Sequence, residues 1–81
     1  MSADITWERY RLAKDRYQVL GECLLIFEAD RRRFSLNDTG FSPKPGYEDA
    51  YANTETRLEI LRGILREERQ IIDRGLSEGM V

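Results

Sequence analysis

The chain has no histidine, a single cysteine and two prolines among its 81 residues. Without an imidazole it lacks the usual general base near neutral pH and the commonest metal ligand, and no Ser-His-Asp or Cys-His arrangement can form. One cysteine permits neither an internal disulfide nor a CxxC pair, so a reducing, cytoplasmic setting is expected. The glycines also lack the spacing of a phosphate-binding loop. We therefore predict no catalytic residue, no cofactor and no metal site.

Long apolar runs and an excess of one charge are missing as well. The longest uninterrupted apolar run is the five-residue CLLIF at 23–27, far short of the ~18 residues of a membrane-spanning helix. The 13 Lys and Arg residues oppose 15 Asp and Glu residues, for a net charge of -2. No overall positive field therefore attracts nucleic acid or anionic lipid. The N-terminus has no secretory pattern, so we expect no membrane association.

Regular spacing of apolar residues predicts a long first helix. From Tyr10 to Phe34 these residues recur at alternating intervals of three and four, as along a heptad seam. Thr6 stands where a side-chain oxygen can cap the first amides of this helix. The predicted first helix covers about 5–36.

The same spacing predicts a second helix of similar length. Its seam runs from Tyr47 to Ile72, which indicates a helix over about 46–74. Gly75 follows directly, where a residue in left-handed conformation commonly ends a helix. The remaining tail, 75–81, is predicted to be frayed.

Turn-forming residues and both prolines cluster between the two seams and predict a loop over about 37–45. Two helices of equal length joined by a short loop are typical of an antiparallel helical hairpin. We therefore predict an all-α fold with one domain over 1–81. By mirror counting, residue i should lie opposite roughly residue 82 minus i.

The apolar arc of each helix is too wide for one partner helix. On helix 1 it spans roughly 200° at about 100° per residue, and a single facing helix covers about half of it. We expect a second copy to cover the remainder, giving a homodimeric four-helix bundle with coiled-coil packing. A different protein would cover the same strip equally well. The residues predicted to form this self-association surface are Leu12, Val19, Cys23, Ile26, Ile60, Ile64 and Ile71.

Charged residues also fall on the apolar faces, and two of them are predicted to pair. The mirror relation brings Glu68 within about one helical turn of Arg16. An internal ion pair seldom adds net stability, whereas an unpaired internal charge is costly. The predicted role of the Arg16 and Glu68 pair is therefore to define register.

Three consecutive arginines end the first helix and raise the question of a phosphate-binding patch. Cations in a last turn offset the negative end of the helix dipole without any ligand. Arg31, Arg32 and Arg33 also diverge by about 100° each around the helix. Arg31 falls on the seam opposite Ala50 and Tyr51, where stacking or pairing with Asp49 is expected, and the other two are predicted to be solvated.

Three classes of function fit these features. The first is a small, non-catalytic, dimeric module for protein interaction, assembly or regulation, whose partners are a second copy and another protein. The second is a nucleic-acid-binding helical-hairpin dimer, which the interleaved acidic and basic residues disfavour. The third is an accessory subunit of a larger enzyme complex.

Overall fold

The computed structural model describes residues 5–37 and 41–80 and contains two helices, α1 (Trp7–Arg33) and α2 (Glu48–Ser77). Tyr10, near the start of α1, contacts Gly75 near the end of α2, while Phe34 just after α1 stacks on Tyr47 just before α2. The two helices are therefore antiparallel. This confirms the predicted all-α helical hairpin, which measures 51 × 22 × 17 Å.

Helix α1 begins and ends inside the predicted range of about 5–36. The Thr6 hydroxyl oxygen accepts a hydrogen bond from the backbone N–H of Arg9 at 3.1 Å, so Thr6 is the N-cap and the helix starts at Trp7. At the other end the helix stops at Arg33, because Phe34 and Ser35 leave it to form the connection to α2.

The connection is longer than the predicted loop of 37–45 and is partly ordered by backbone pairing. Ser35 and Pro43 form an isolated antiparallel bridge. Beside it, the Leu36 N–H donates to the Ser42 carbonyl and the Lys44 N–H donates to the Phe34 carbonyl, both at 2.8 Å. The turn residues at 38–40 lie outside the described residues.

Helix α2 runs from Glu48 to Ser77, so it begins two residues after the predicted start near 46 and ends three residues after the predicted end near 74. The tail that was predicted to be frayed is helical up to Ser77, and Gly75 is buried. The left-handed residue is instead Gly79, with φ of 84°. There the Met80 N–H donates to the Gly75 carbonyl at 2.9 Å, which satisfies one of the last carbonyls of the helix.

A small core lies along the contact between the helices. Its fully or nearly fully buried apolar residues are Ile5, Tyr10, Ala13, Leu58 and Leu61. Two facing helices bury one stripe each, so most other apolar residues stay partly exposed. In the described part of the chain, neither helix has the length and hydropathy of a membrane-spanning segment.

The register of the hairpin differs from the mirror count. Tyr10 meets Gly75 and Tyr17 meets Arg69, so the residue numbers of facing pairs add to 85 and 86 rather than 82. Facing partners on α2 therefore lie three to four residues beyond the predicted ones. The shift does not come from the ends of the connection, because the numbers of Arg33 and Glu48 add to 81, close to the mirror count.

Candidate interaction surfaces

Exposed apolar residues from both helices share one side of the hairpin, which we call the apolar side. Helical geometry places there Leu12, Val19, Cys23 and Ile26 of α1 and Ile60, Ile64 and Ile71 of α2. Leu12 is 48% exposed, Val19 57%, Ile26 59% and Ile60 59%. The other three are half-buried. All seven residues predicted to mediate self-association thus lie on this side, and the hairpin itself leaves four of them largely uncovered.

The apolar side is built from residues at matching levels of the two helices. Val19 and Ile64 line one shallow groove of about 300 Å³ together with Leu20. With facing numbers near 85, Leu12 lies within two residues of the level of Ile71. The apolar side is therefore one surface that crosses both helices, rather than two separate stripes.

A buried carboxylate with two arginines interrupts this surface. Glu68 is only 3% exposed. Its oxygens accept hydrogen bonds from Arg9 Nη2 at 2.8 Å and Arg9 Nη1 at 3.0 Å, and Arg16 Nη1 lies 3.5 Å from Oε1. Arg16 occupies the predicted place, but the shorter, two-pronged contact comes from Arg9, which sequence reasoning missed. The available signal was the spacing of seven between Arg9 and Arg16, which places both on one helix face.

The charges of this Arg9–Glu68–Arg16 cluster stabilise one another. The Arg9 hydrogen bonds lower the pKa of Glu68, desolvation opposes that shift, and the charges of Arg9 and Arg16 reinforce it. The same hydrogen bonds raise the pKa of Arg9. Glu68 and Arg9 therefore stabilise each other in their charged forms, and the Arg16 guanidinium faces the same carboxylate.

The opposite side of the hairpin carries a second depression, which we call the basic groove. Two adjoining cavities of about 270 and 310 Å³ share Tyr17 and Arg69. Apolar side chains of α2 line them beside Tyr17: Leu65, Ile72 and Leu76. The cations that line them are Lys14, Arg66 and Arg69. Sequence reasoning did not find this groove, because its residues are separated by about fifty positions and the register was shifted.

Ring and ion contacts hold part of the groove in shape. The Arg69 guanidinium carbon lies 6.0 Å from the centre of the Tyr17 ring, and Arg69 Nε lies 3.1 Å from an Asp73 oxygen. The Tyr17 hydroxyl first, and Asp73 second, raise the pKa of Arg69. Lys14 Nζ lies 5.3 Å from the centre of the Tyr10 ring. These cations are thus anchored on aromatic rings at one end of the hairpin.

The three arginines at the end of α1 have separate surroundings. Arg31 is mostly buried and lies 3.5 Å from Glu55, so the predicted pairing with Asp49 is wrong. The shifted register explains the difference, because Glu55 lies further along α2 than the mirror count allows. Arg33 is largely exposed and lies 3.7 Å from Asp30. Arg31 and Arg33 therefore have different acidic partners and different exposure.

Within the described ranges, no group of three or more His, Cys, Asp or Glu residues is arranged to hold a metal ion. Cys23 is a half-buried free thiol. Comparison with known proteins found no matching family, no matching curated protein and no matching solved structure.

Proposed function

We propose that the chain is a non-catalytic protein-interaction module that self-associates through its apolar side into a four-helix bundle. The observation that carries this proposal is the exposure of Val19, Ile26 and Ile60, each at 57–59%, on one continuous surface. Exposed apolar patches of this kind on small proteins usually mark protein contacts. The lack of histidine and the single cysteine support a non-catalytic role in a reducing compartment.

The face of the hairpin that carries the apolar side is large enough for a second copy of the chain. The whole face measures 51 × 22 Å, or roughly 1,100 Å² in projection, and a standard interface needs about 800 Å² from each partner, so the contact would extend beyond the seven apolar residues. The apolar residues lie at similar levels on both helices, which also suits a two-fold axis. Such an axis brings the same surface of each copy together. A single hairpin of this size buries little apolar surface, and a second copy would enlarge its core.

The mass of the particle in solution tests the proposal. Light scattering on a dilution series should give twice the chain mass of 9.5 kDa at high concentration, with dissociation on dilution by the law of mass action. A particle with the mass of one chain throughout the series would contradict self-association.

A further inference from the structure

From the basic groove we infer a second binding surface, one that takes an acidic amphipathic segment of another protein. It differs from the apolar side in position and in chemistry. Tyr17 and Val19 are two residues apart on α1, which is roughly 200° around the helix, so the groove and the apolar side face away from each other. A dimer formed through the apolar side therefore leaves the groove open.

The floor of the groove fits the apolar stripe of a short helix. Along α2 it runs from Leu65 to Leu76, a length of about 16 Å at ~1.5 Å per residue, which matches three helical turns. Leu76 is 55% exposed, while Tyr17 and Ile72 are half-buried. Partly exposed side chains at the floor of a groove of this length are the kind of surface on which an amphipathic helix lays its apolar face.

The charges at the rim of the groove indicate which charge a bound segment should carry. Lys14, Arg66 and Arg69 line it, and Asp73 is the one acidic residue lining the two cavities. Asp73 is already paired with Arg69. The lining charges therefore leave an excess of positive charge beside an apolar floor. A segment with aspartate and glutamate beside an apolar stripe would complement both the positive rim and the apolar floor.

A nucleic acid would fit the groove less well. Phosphate backbones are bound by cations and backbone amides along a polar track, whereas Leu65, Ile72 and Leu76 form the floor here. Of the cations, Arg69 is committed to Asp73 and to the Tyr17 ring. The apolar floor is the feature that favours a peptide.

Two labelled peptides test the charge preference directly. Both have a three-turn leucine stripe, and they differ only in that one carries glutamate and the other glutamine beside the stripe. Fluorescence anisotropy with the full chain should show the glutamate peptide binding about tenfold more tightly than the glutamine peptide. Raising NaCl from about 50 to 300 mM should remove most of this difference, because the rim charges are exposed to salt.

Variants locate the binding site. Lys14→Gln combined with Arg66→Gln should weaken binding of the glutamate peptide about tenfold. Arg33→Gln, which removes another exposed cation, at the loop end, should leave binding within about twofold. Leu76→Ala should weaken both peptides, whereas Val19→Ala on the apolar side should weaken neither. Circular dichroism confirms that each variant keeps its helices.

Three results would overturn the inference: equal binding of the two peptides, equal effects of the groove variants and the Arg33 control, or no binding at all. A single-stranded oligonucleotide of about 16 nucleotides that binds more tightly than the glutamate peptide, and depends on Lys14 and Arg66, would assign the groove to nucleic acid instead. Because these outcomes do not depend on the mass of the particle, they are separate from failure of the proposed self-association.

Discussion

Gly75 lies against the buried ring of Tyr10, and this contact explains why glycine occupies a position inside a helix. A Cβ atom added to Gly75 would overlap Tyr10 Cδ1 and lie 2.6 Å from Cε1. The backbone of α2 can therefore approach α1 here only without a side chain. The sequence pattern suggested the other common role of glycine, the end of a helix, since residue type alone does not separate the two.

Replacing Gly75 with alanine should destabilise the fold by about 1–3 kcal/mol, because the new methyl group must displace a fully buried ring. The matched control is Gly63→Ala in the same helix, where the nearest side-chain atom to an added Cβ is 4.0 Å away. That change should stabilise the protein by about 0.5–1 kcal/mol, as expected from helix propensity. Urea unfolding followed by circular dichroism measures both. A stabilised Gly75→Ala protein would contradict the close approach.

Glu68 is the second residue whose role in the fold depends on its surroundings. It is buried, yet it is charged because Arg9 and Arg16 both face it. The pairing of an internal charge could be predicted from the pattern, since a carboxylate on an apolar seam needs a cation. The choice of Arg9 as main partner could not, because the residue numbers of Arg9 and Glu68 add to 77, away from both the mirror count of 82 and the observed 85 to 86.

Glu68→Gln should lower the free energy of unfolding by about 1–3 kcal/mol at pH 7, because both guanidinium groups lose their anion. The pKa of Glu68 is lowered in the folded chain. Its contribution is therefore complete above the unfolded pKa of about 4.3 and is lost as the pH falls through the lower folded value. The difference from the parent protein should shrink below about pH 4.

Glu67→Gln, at an exposed neighbouring position, is the control for Glu68→Gln. Urea unfolding at pH 7, 5 and 3 and at one protein concentration compares the two variants. If Glu67→Gln and Glu68→Gln showed the same loss at every pH, the buried ion cluster would have no special role.

At the scale of the helices, local sequence signals predict some helix ends and not others. The Thr6 cap could be predicted, since a threonine before an apolar-patterned segment is a local feature. The end of α1 could not, because Phe34 leaves the helix to stack on Tyr47, at a centroid distance of 5.8 Å. That contact joins residues on either side of the connection and has no signature in a helical pattern.

Thr6→Ala should remove the side-chain acceptor of the Arg9 N–H and destabilise the fold by about 1 kcal/mol. Thr56→Ala is the comparison, because the Thr56 hydroxyl donates within α2, to the Ala52 carbonyl at 3.1 Å. Alanine there should be neutral or stabilising by a few tenths of a kcal/mol. Thermal unfolding at equal concentrations distinguishes the two. Equal losses would mean that the Thr6 cap contributes nothing.

At the scale of the whole molecule, the hairpin has two sides of different chemistry. The apolar side carries aliphatic residues and the buried Glu68 cluster, while the groove side combines an apolar floor with cations. The residues of the apolar side could be listed from the sequence, since a wide apolar arc follows from helical periodicity alone. The basic groove required the structure, because it depends on which residues of α2 lie beside Tyr17.

The comparison of Ile26→Glu with Leu25→Glu tests the central claim most directly. These neighbours on α1 are similarly exposed, at 59% and 67%, but they point about 100° apart, and only Ile26 lies on the apolar side. Sedimentation equilibrium at one concentration should show the Ile26→Glu protein at the mass of one chain and the Leu25→Glu protein at twice that mass, because a buried unpaired carboxylate opposes association. Dimers of equal stability for both variants, or a parent protein that is itself monomeric, would contradict a dimer formed through the apolar side.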